Sequence, residues 1–367
     1  MLNLVTFVVT QFAMGITVLI ARYLGEKRPQ YIGQVIGGSI VVFALISAVL
    51  FVVLVGFARP ISVLMQAPEE ALGLTSGYVR ICGAGIFFIV AYNLLAAIFR
   101  GLGDSQSPLL FVLVACIVNV FGDLFLVAGL HLDAAGAAIA TVAAQAVSVV
   151  CAVIMLLKKH LPFKLCKADF RLNPQCRKFL SIGLPLALQE FLTQLSFLAL
   201  CAFVNRLGLE ASSGYGVACK IVNFAMLIPS ALMQSMAAFV SQNIGAGSKK
   251  RARQSMFTGI GIGLAFGCAV FANAFAYLKG FAPETIATAV LFSMVGYFNG
   301  NNKTVWVMVQ GLVQTLLVRL PMAYFMSIQP NASLTMIGLA APTSTAVGIV
   351  LNICFYFYFE RTSRSDS

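Results

Sequence analysis

Three features of this sequence predict an all-α polytopic membrane protein made of two pseudo-symmetric helical lobes, with about eleven spans. The first is composition. Of 367 residues, 60% are hydrophobic and 10% charged, with a mean hydropathy of +0.94; a soluble domain carries about a quarter charged residues. The second is that apolar runs of 18 or more residues recur along the whole length, each long enough to cross a hydrocarbon core of ~30 Å as a helix. Helices are the expected element because lipid offers backbone amides and carbonyls no partner outside their own segment. The third is internal repetition.

Bounded by charge, Gly and Pro, the expected spans lie in order at 2–21, 34–57, 79–99, 108–130, 135–157, 179–204, 212–240, 255–278, 285–299, 304–328 and 335–359. The opening run is too long for the apolar part of a signal peptide and has neither a basic start nor a convincing cleavage site, so it counts as a span. Lys and Arg accumulate in short loops on the cytoplasmic side. One side holds Arg22, Lys27, Arg28, Arg100, seven basic residues between Lys158 and Lys178, Lys249, Lys250, Arg251, Arg253, Lys303, Arg361 and Arg364. The other holds Arg59, Arg80, Arg206 and Lys279, with Lys220 and Arg319 inside spans. The chain is therefore expected to begin outside and end in the cytoplasm, as a multi-pass protein of a bacterial inner membrane. The net charge of +12 is topology, and no nucleic acid is called for. Seven of the nine cysteines fall in apolar runs, where they behave as small hydrophobes. Cys166 and Cys176 lack CxxC spacing, and with only His131 and His160 in the chain a zinc site is not expected. No cofactor is called for.

The repeat rests on three pairs of segments in the same order. "RYLGEKRPQYIGQ" (22–34) and "QNIGAGSKKRARQ" (242–254) match at Gly25/Gly245 and Gln34/Gln254, an offset of 220. "QAPEEA" (66–71) pairs with "FAPETI" (281–286), and 135–150 pairs with 337–352 at Gly136/Gly338, Ala138/Ala340, Thr141/Thr343 and Ala144/Ala346. These give an N-terminal lobe over 1–157, a basic cytoplasmic linker over 158–178 and a C-terminal lobe over 179–367. Matched spans run in the same direction, so the repeat is a parallel one, an arrangement in which transporters place substrate and coupling ion between the halves. The halves are unequal: 33 residues separate Pro68 from Gly101 but only 17 separate Pro283 from Gly300. Span 285–299 accordingly reaches only ~22 Å at 1.5 Å per residue.

Ionisable residues inside spans face a bundle interior, a cavity or a partner, so each is a candidate. Glu190 lies about 11 residues, ~16 Å, from the cytoplasmic start of its helix, and Lys220 about 8 residues, ~12 Å, from the outer start of the next. Both then fall near the middle of a ~30 Å core. Gln189 with Thr193, and Glu190 with Gln194, make a polar stripe at helical spacing, and Pro185 removes a backbone hydrogen bond nearby. Glu190 either binds the coupling proton or a cationic substrate, or forms a structural ion pair with Lys220. Asp123, with Asn119 one turn earlier, is either an ion site of the first lobe or a helix-to-helix hydrogen bond. Arg319 reads as an interhelical pairing group, and Tyr92 is one of several aromatics suited to line a path for planar cations.

At "FRGLGDSQSPLL" (99–110), the Arg-Gly-x-Gly-Asp-x-x-x-Pro turn resembles the signature of the multidrug and toxic compound extrusion (MATE) family. "VNVFGDLFLV" (118–127), "YFNGNNKT" (297–304) and "VRLPMAYFM" (318–326) look like further segments of that family. The resemblance implies a two-lobed, twelve-helix architecture in which the family's first helix and part of its tenth have no counterpart in this chain. It implies a secondary exporter that exchanges small cationic or aromatic molecules for protons or sodium across the bilayer. In the turn itself, Gly101 and Gly103 permit positive φ and Pro108 opens the next helix. Arg100, Gly101, Gly103, Asp104 and Pro108 are thus expected to form a tight structural or gating turn. Alternatives are a truncated, non-transporting remnant of such an exporter, or a flippase for a lipid-linked saccharide, which would need a more cationic interior. An enzyme is not expected: the chain has no DxxD-type cluster, HExxH or GxSxG.

Overall fold

Uninterrupted apolar segments leave the backbone no partner but itself, and most of the described residues are helical. The computed structural model describes residues 2–64, 69–159, 166–205, 222–274, 282–329 and 333–365, with positions 163, 216, 219 and 220. The chain divides into two units, Met1–Gly183 and Leu184–Ser367. The first contains α1 (Leu2–Gly25), α2 (Pro29–Gly56), α3 (Ala58–Leu64), α4 (Glu69–Ala84), α5 (Ile86–Gly101), α6 (Gln106–Asp123), which runs into a π-helical turn (Leu124–Gly129), and α7 (Asp133–Lys158). Helix α8 (Pro174–Asn205) begins in the first unit and continues in the second. There it is followed by α9 (Leu227–Gly245), α10 (Lys249–Ala274), α11 (Ala282–Gly300), α12 (Thr304–Leu312) with a second π turn (Val313–Arg319), α13 (Leu320–Ser327), α14 (Leu334–Gly338) and α15 (Ala340–Ser365).

Among the described residues, eight helical segments are long and apolar enough to cross a membrane, and the bent pair α4–α5 makes a ninth. Helices α10 and α11 bring the rods to the eleven expected. Two differ from expectation. The span expected at 79–99 is the second part of a longer helix that starts at Glu69 and bends by 51° between Ala84 and Ile86. Glu69, Glu70 and Arg80 hid its first part. Gly85 sits at the bend, where a Cβ would come within 2.4 Å of the Val142 side chain. Helix α11 has 19 residues, ~28 Å at 1.5 Å per residue, and so is longer than the short span expected at 285–299. The first part of the span expected at 212–240 lies mostly outside the described residues.

Small residues set the packing within each unit. In the first, a Cβ on Gly15 would meet the Phe179 carbonyl oxygen at 2.4 Å, and one on Gly183 would meet the Phe12 carbonyl oxygen at 2.3 Å, so α1 and the start of α8 touch backbone to backbone. Tyr23 donates from its hydroxyl to Gln175 Oε1 (2.6 Å) and accepts from Lys178 Nζ (3.0 Å), tying the same two helices at their other end. In the second, Gly296 and Gly300 of α11 lie against Met233 and Val240 of α9, while Gly263 and Gly267 of α10 receive Ala289 and Ile286. Both pairs are four residues apart, the small-xxx-small pattern that lets helices approach closely in lipid.

The halves share a turn. After α1, Lys27 N–H bonds to Leu24 O and Arg28 N–H to Tyr23 O; after α9, Gly247 bonds to Ile244 and Ser248 to Asn243. After α5, Gly103 bonds to Arg100 and Asp104 to Phe99; after α11, Asn302 bonds to Asn299 and Lys303 to Phe298. All four are Schellman closures, which need a left-handed residue just past the helix. Lys27 (φ 55), Gly103 (φ 79), Gly247 (φ 75) and Asn302 (φ 60) supply it. The two pseudo-symmetric lobes inferred from the repeat are thus visible in the backbone.

Candidate functional site

The turn at 100–108 is built by Asp104. Its Oδ1 accepts the backbone N–H groups of Gln106 and Ser107, each at 3.0 Å, satisfying donors that the first turn of α6 leaves without helical partners. Oδ2 accepts Ser107 Oγ and pairs with Lys159 just past α7. Burial works against the charged carboxylate, but the Lys159 and Ser107 hydrogen bonds outweigh it and hold the group at about 2. Gly101 packs on α1, where a Cβ would lie 2.9 Å from that of Ile20; Gly103 takes the positive φ expected of it. Pro108 is the third residue of α6 rather than its first. Arg100 lies within electrostatic reach of Tyr92, and its Nε is buried with no hydrogen-bond partner.

Tyr92 leads from this turn into a cavity of the first unit. About 210 Å³ in volume, it is lined by Tyr92, Val112, Ala115, Cys116, Asn119, Thr141, Ala144 and Gln145, drawn from α5, α6 and α7. Asn119 therefore faces the cavity. Asp123 lies one turn further along α6, where its Oδ1 is buried without a hydrogen-bond partner and its charge acts on Tyr78 of α4. Gln145 presents a second buried oxygen, Oε1, without a partner. Thr141 and Gln145 were missed in the sequence; the Thr141/Thr343 match in the repeat was the one signal that marked the former.

In the second unit Glu190 is half-buried and accepts a hydrogen bond from Gln194 Nε2 at 2.7 Å, the i,i+4 pair expected. Lys220 is exposed, and the ion pairs of the described residues do not join it to Glu190. Gln189, beside Glu190, fills the space at Gly311, where a Cβ would sit 2.5 Å from its Nε2. The next layer is also amide: Gln310 Nε2 donates to Gln314 Oε1 at 2.6 Å. Arg319, one turn on, donates from Nε to Ser344 Oγ at 3.2 Å and lies 4.8 Å from the centre of the Phe197 ring. An acid absent from the sequence-based candidates belongs to this unit. Glu284, read there as loop, opens α11 and is buried. Pro283 followed by an acid is a helix-start signal that identifies it.

The MatE family model matches residues 1–125 and 185–279, more than half of the chain. Probable multidrug resistance protein YoeA of Bacillus subtilis is 27% identical over 266 residues, covering 69% of this chain and 58% of that protein. An FAD transporter of Shewanella oneidensis is 25% identical over 272 residues, 71% of this chain and 60% of the transporter. The chain thus spans about three-fifths of the length of these curated relatives. A solved outward-facing conformation of a multidrug resistance MATE family transporter of the MOP superfamily superposes with a TM-score of 0.87 over 96% of this chain and 84% of that one. At 18% identity that likeness speaks for the fold alone. The motif turn, the doubled helical architecture and the matched model agree: this chain belongs to the MatE family, the multidrug and toxic compound extrusion transporters.

Proposed function

We propose that the chain works as a secondary active exporter, moving organic cations or other drug-like aromatic molecules out of a bacterial cell against an inward flow of protons or sodium. The observation that carries this reading is Asp123. A carboxylate oxygen without a partner, buried one turn from a cavity edged by Asn119, Thr141, Gln145 and Tyr92, is an expensive arrangement in a membrane unless a cation or proton occupies it. Glu190 and Gln194 on α8 offer a second polar station for the same traffic. The lobes 1–157 and 179–367 flank the 158–178 linker on the cytoplasmic face, with the first residue outside and the last inside, as the distribution of Lys and Arg favours.

The test is accumulation of a fluorescent planar cation in a host stripped of its own exporters, comparing empty vector, this chain, Asp123→Asn and Glu190→Gln at matched membrane levels. The chain is expected to lower accumulation and Asp123→Asn to abolish the effect. Equality of the well-folded chain with empty vector refutes the exporter reading for such cations. A second substrate class follows from the FAD transporter among the relatives, since the buried Arg100 Nε beside Tyr92 suits an aromatic anion. A flavin is therefore run in parallel.

A further inference from the structure

Among the described residues of the second unit, Glu284 and Arg319 are the most deeply buried charges, 4% and 5% exposed. Glu284 Oε2 is enclosed with no hydrogen-bond partner. Among the described residues, the charged group whose field acts on it is Arg319. Arg319 is held from two sides: Ser344 of α15 accepts its Nε at 3.2 Å, and the Phe197 ring of α8 lies 4.8 Å from the guanidinium.

Of the other charges on the neighbouring elements, Glu190 of α8 lies seven residues, ~10 Å along the helix, from Phe197 and accepts a hydrogen bond from Gln194; the rest are further away. Helices α9 and α12 carry none. On α10, Gly267 meets Ile286 beside Glu284, whereas Lys249, Lys250, Arg251 and Arg253 lie 14 or more residues earlier, at least ~21 Å along the helix. On α15, Glu360 and Arg361 follow Ser344 by about 16 residues, ~24 Å, and Glu360 is engaged by Arg253 at 3.7 Å.

We propose that Glu284 and Arg319 form a proton-exchange site inside the second unit, in which Arg319 serves as a resident cation that keeps sodium out. A carboxylate shut away from water is costly while charged and becomes cheap once protonated. A proton asks for a single lone pair, which Oε2 has free. A metal cation asks for several oxygen ligands at once and would enter the field of a guanidinium that stays charged at every working pH, in a medium where like charges repel strongly. The step is simple: an Oε2 lone pair takes a proton from a hydronium ion, water leaves, the carboxylate becomes a carboxylic acid, and the unit gains one positive charge. Arg319 keeps its own proton throughout, because Ser344 and the Phe197 face hold the guanidinium when Glu284 is neutral. The site's role in coupling rests on the exporter reading; its occupancy by a proton does not.

The experiment is infrared difference spectroscopy of the full chain in lipid nanodiscs, titrated with pH in potassium and in sodium buffers of equal ionic strength. The expected result is a protonated-carboxyl band that disappears in Glu284→Gln and shifts in frequency in Glu284→Asp, which keeps an acid at the position should the glutamine variant misfold. In the wild type the band is indifferent to sodium. In Arg319→Met, with the resident cation gone, sodium competes with the proton and weakens it. A band unchanged in Glu284→Gln and Glu284→Asp overturns the proposal, as does loss of the wild-type band on exchanging potassium for sodium. Dye accumulation is followed on the same variants: absence of efflux by the wild type refutes the exporter reading, while the infrared result separately decides the fate of this site.

Discussion

Replacing Asp104 by Asn removes a charge and leaves a cap. Asparagine's side-chain oxygen still accepts the Gln106 and Ser107 amides, as it does at helix starts generally, so what is lost is the attraction to Lys159 and the charge-assisted bond to Ser107. The carboxyl is held at about 2 against an ordinary 3.8, a displacement worth about 2 kcal/mol at ~1.4 kcal/mol per pKa unit. Asp104 is 14% exposed but Lys159 is 42% exposed, so solvent screens part of the pair and the expected loss is about 1 kcal/mol. That corresponds to a fall in melting temperature of ~2–4 °C for a unit of this size. Because the folded value lies below the unfolded one, the contribution is complete above about pH 4 and disappears as the pH falls through about 2. Thermal unfolding of the purified chain in detergent, scanned from neutral pH to pH 2, provides the assay. The wild type should lose more stability than Asp104→Asn between pH 4 and 2, until the two coincide. Lys159→Met should reproduce the Asn variant, and the double variant should add nothing. Equal melting temperatures at pH 7, or parallel curves down to pH 2, would refute the assignment of this ion pair to the turn.

Three further outcomes are expected. Lys27→Gly should stabilise the chain by about 1 kcal/mol, since Lys27 occupies the left-handed position of its turn at φ 55, where a side chain costs ~1–2 kcal/mol; a lower melting temperature would count against the turn as described. Gln145→Leu should raise stability by about 1 kcal/mol by removing a buried oxygen without a partner, while weakening dye efflux; unchanged efflux would detach the cavity from transport. Gly183→Ala should destabilise by ~1–3 kcal/mol through overpacking, because the new methyl group meets the Phe12 carbonyl at 2.3 Å; unfolding in graded denaturant measures it, and no change would show that α1 and α8 part freely.

What could be read in advance was whatever has a local signal. Runs of apolar residues located the rods, Lys and Arg marked the ends of the loops, and the glycine-rich motif announced a tight turn, in which Gly103 but not Gly101 takes the positive φ expected of both. Asn119 and Asp123 could be chosen because a polar residue in an apolar helix stands out by itself. Tertiary partners had no such signal. Lys159 lies 55 residues from Asp104 in sequence, and nothing around either residue names the other. A Glu190–Lys220 ion pair was one of two readings of Glu190, from similar depth on a hairpin, and depth says nothing about azimuth; the structure shows Glu190 accepting from Gln194, four residues along its own helix. Glu284 was missed for the opposite reason. Reading the span from its apolar residues placed the boundary three positions too late, so a buried acid at a helix start looked like an exposed one in a loop.

The four Schellman closures carry a lesson about descent. Two of the left-handed positions hold glycine, one lysine and one asparagine, so a residue-by-residue comparison of the halves finds little there. Their hydrogen bonds nevertheless correspond donor for donor at a constant offset of 220 residues for one pair of turns and 199 for the other. After an ancestral half is copied, side chains at such a corner drift within the limits of a tolerable φ, while the bond pattern cannot change without unpicking a helix end. Ancestry in proteins of this kind is written in the main chain, and a duplication too old for letters to reveal can still be dated as real by its corners.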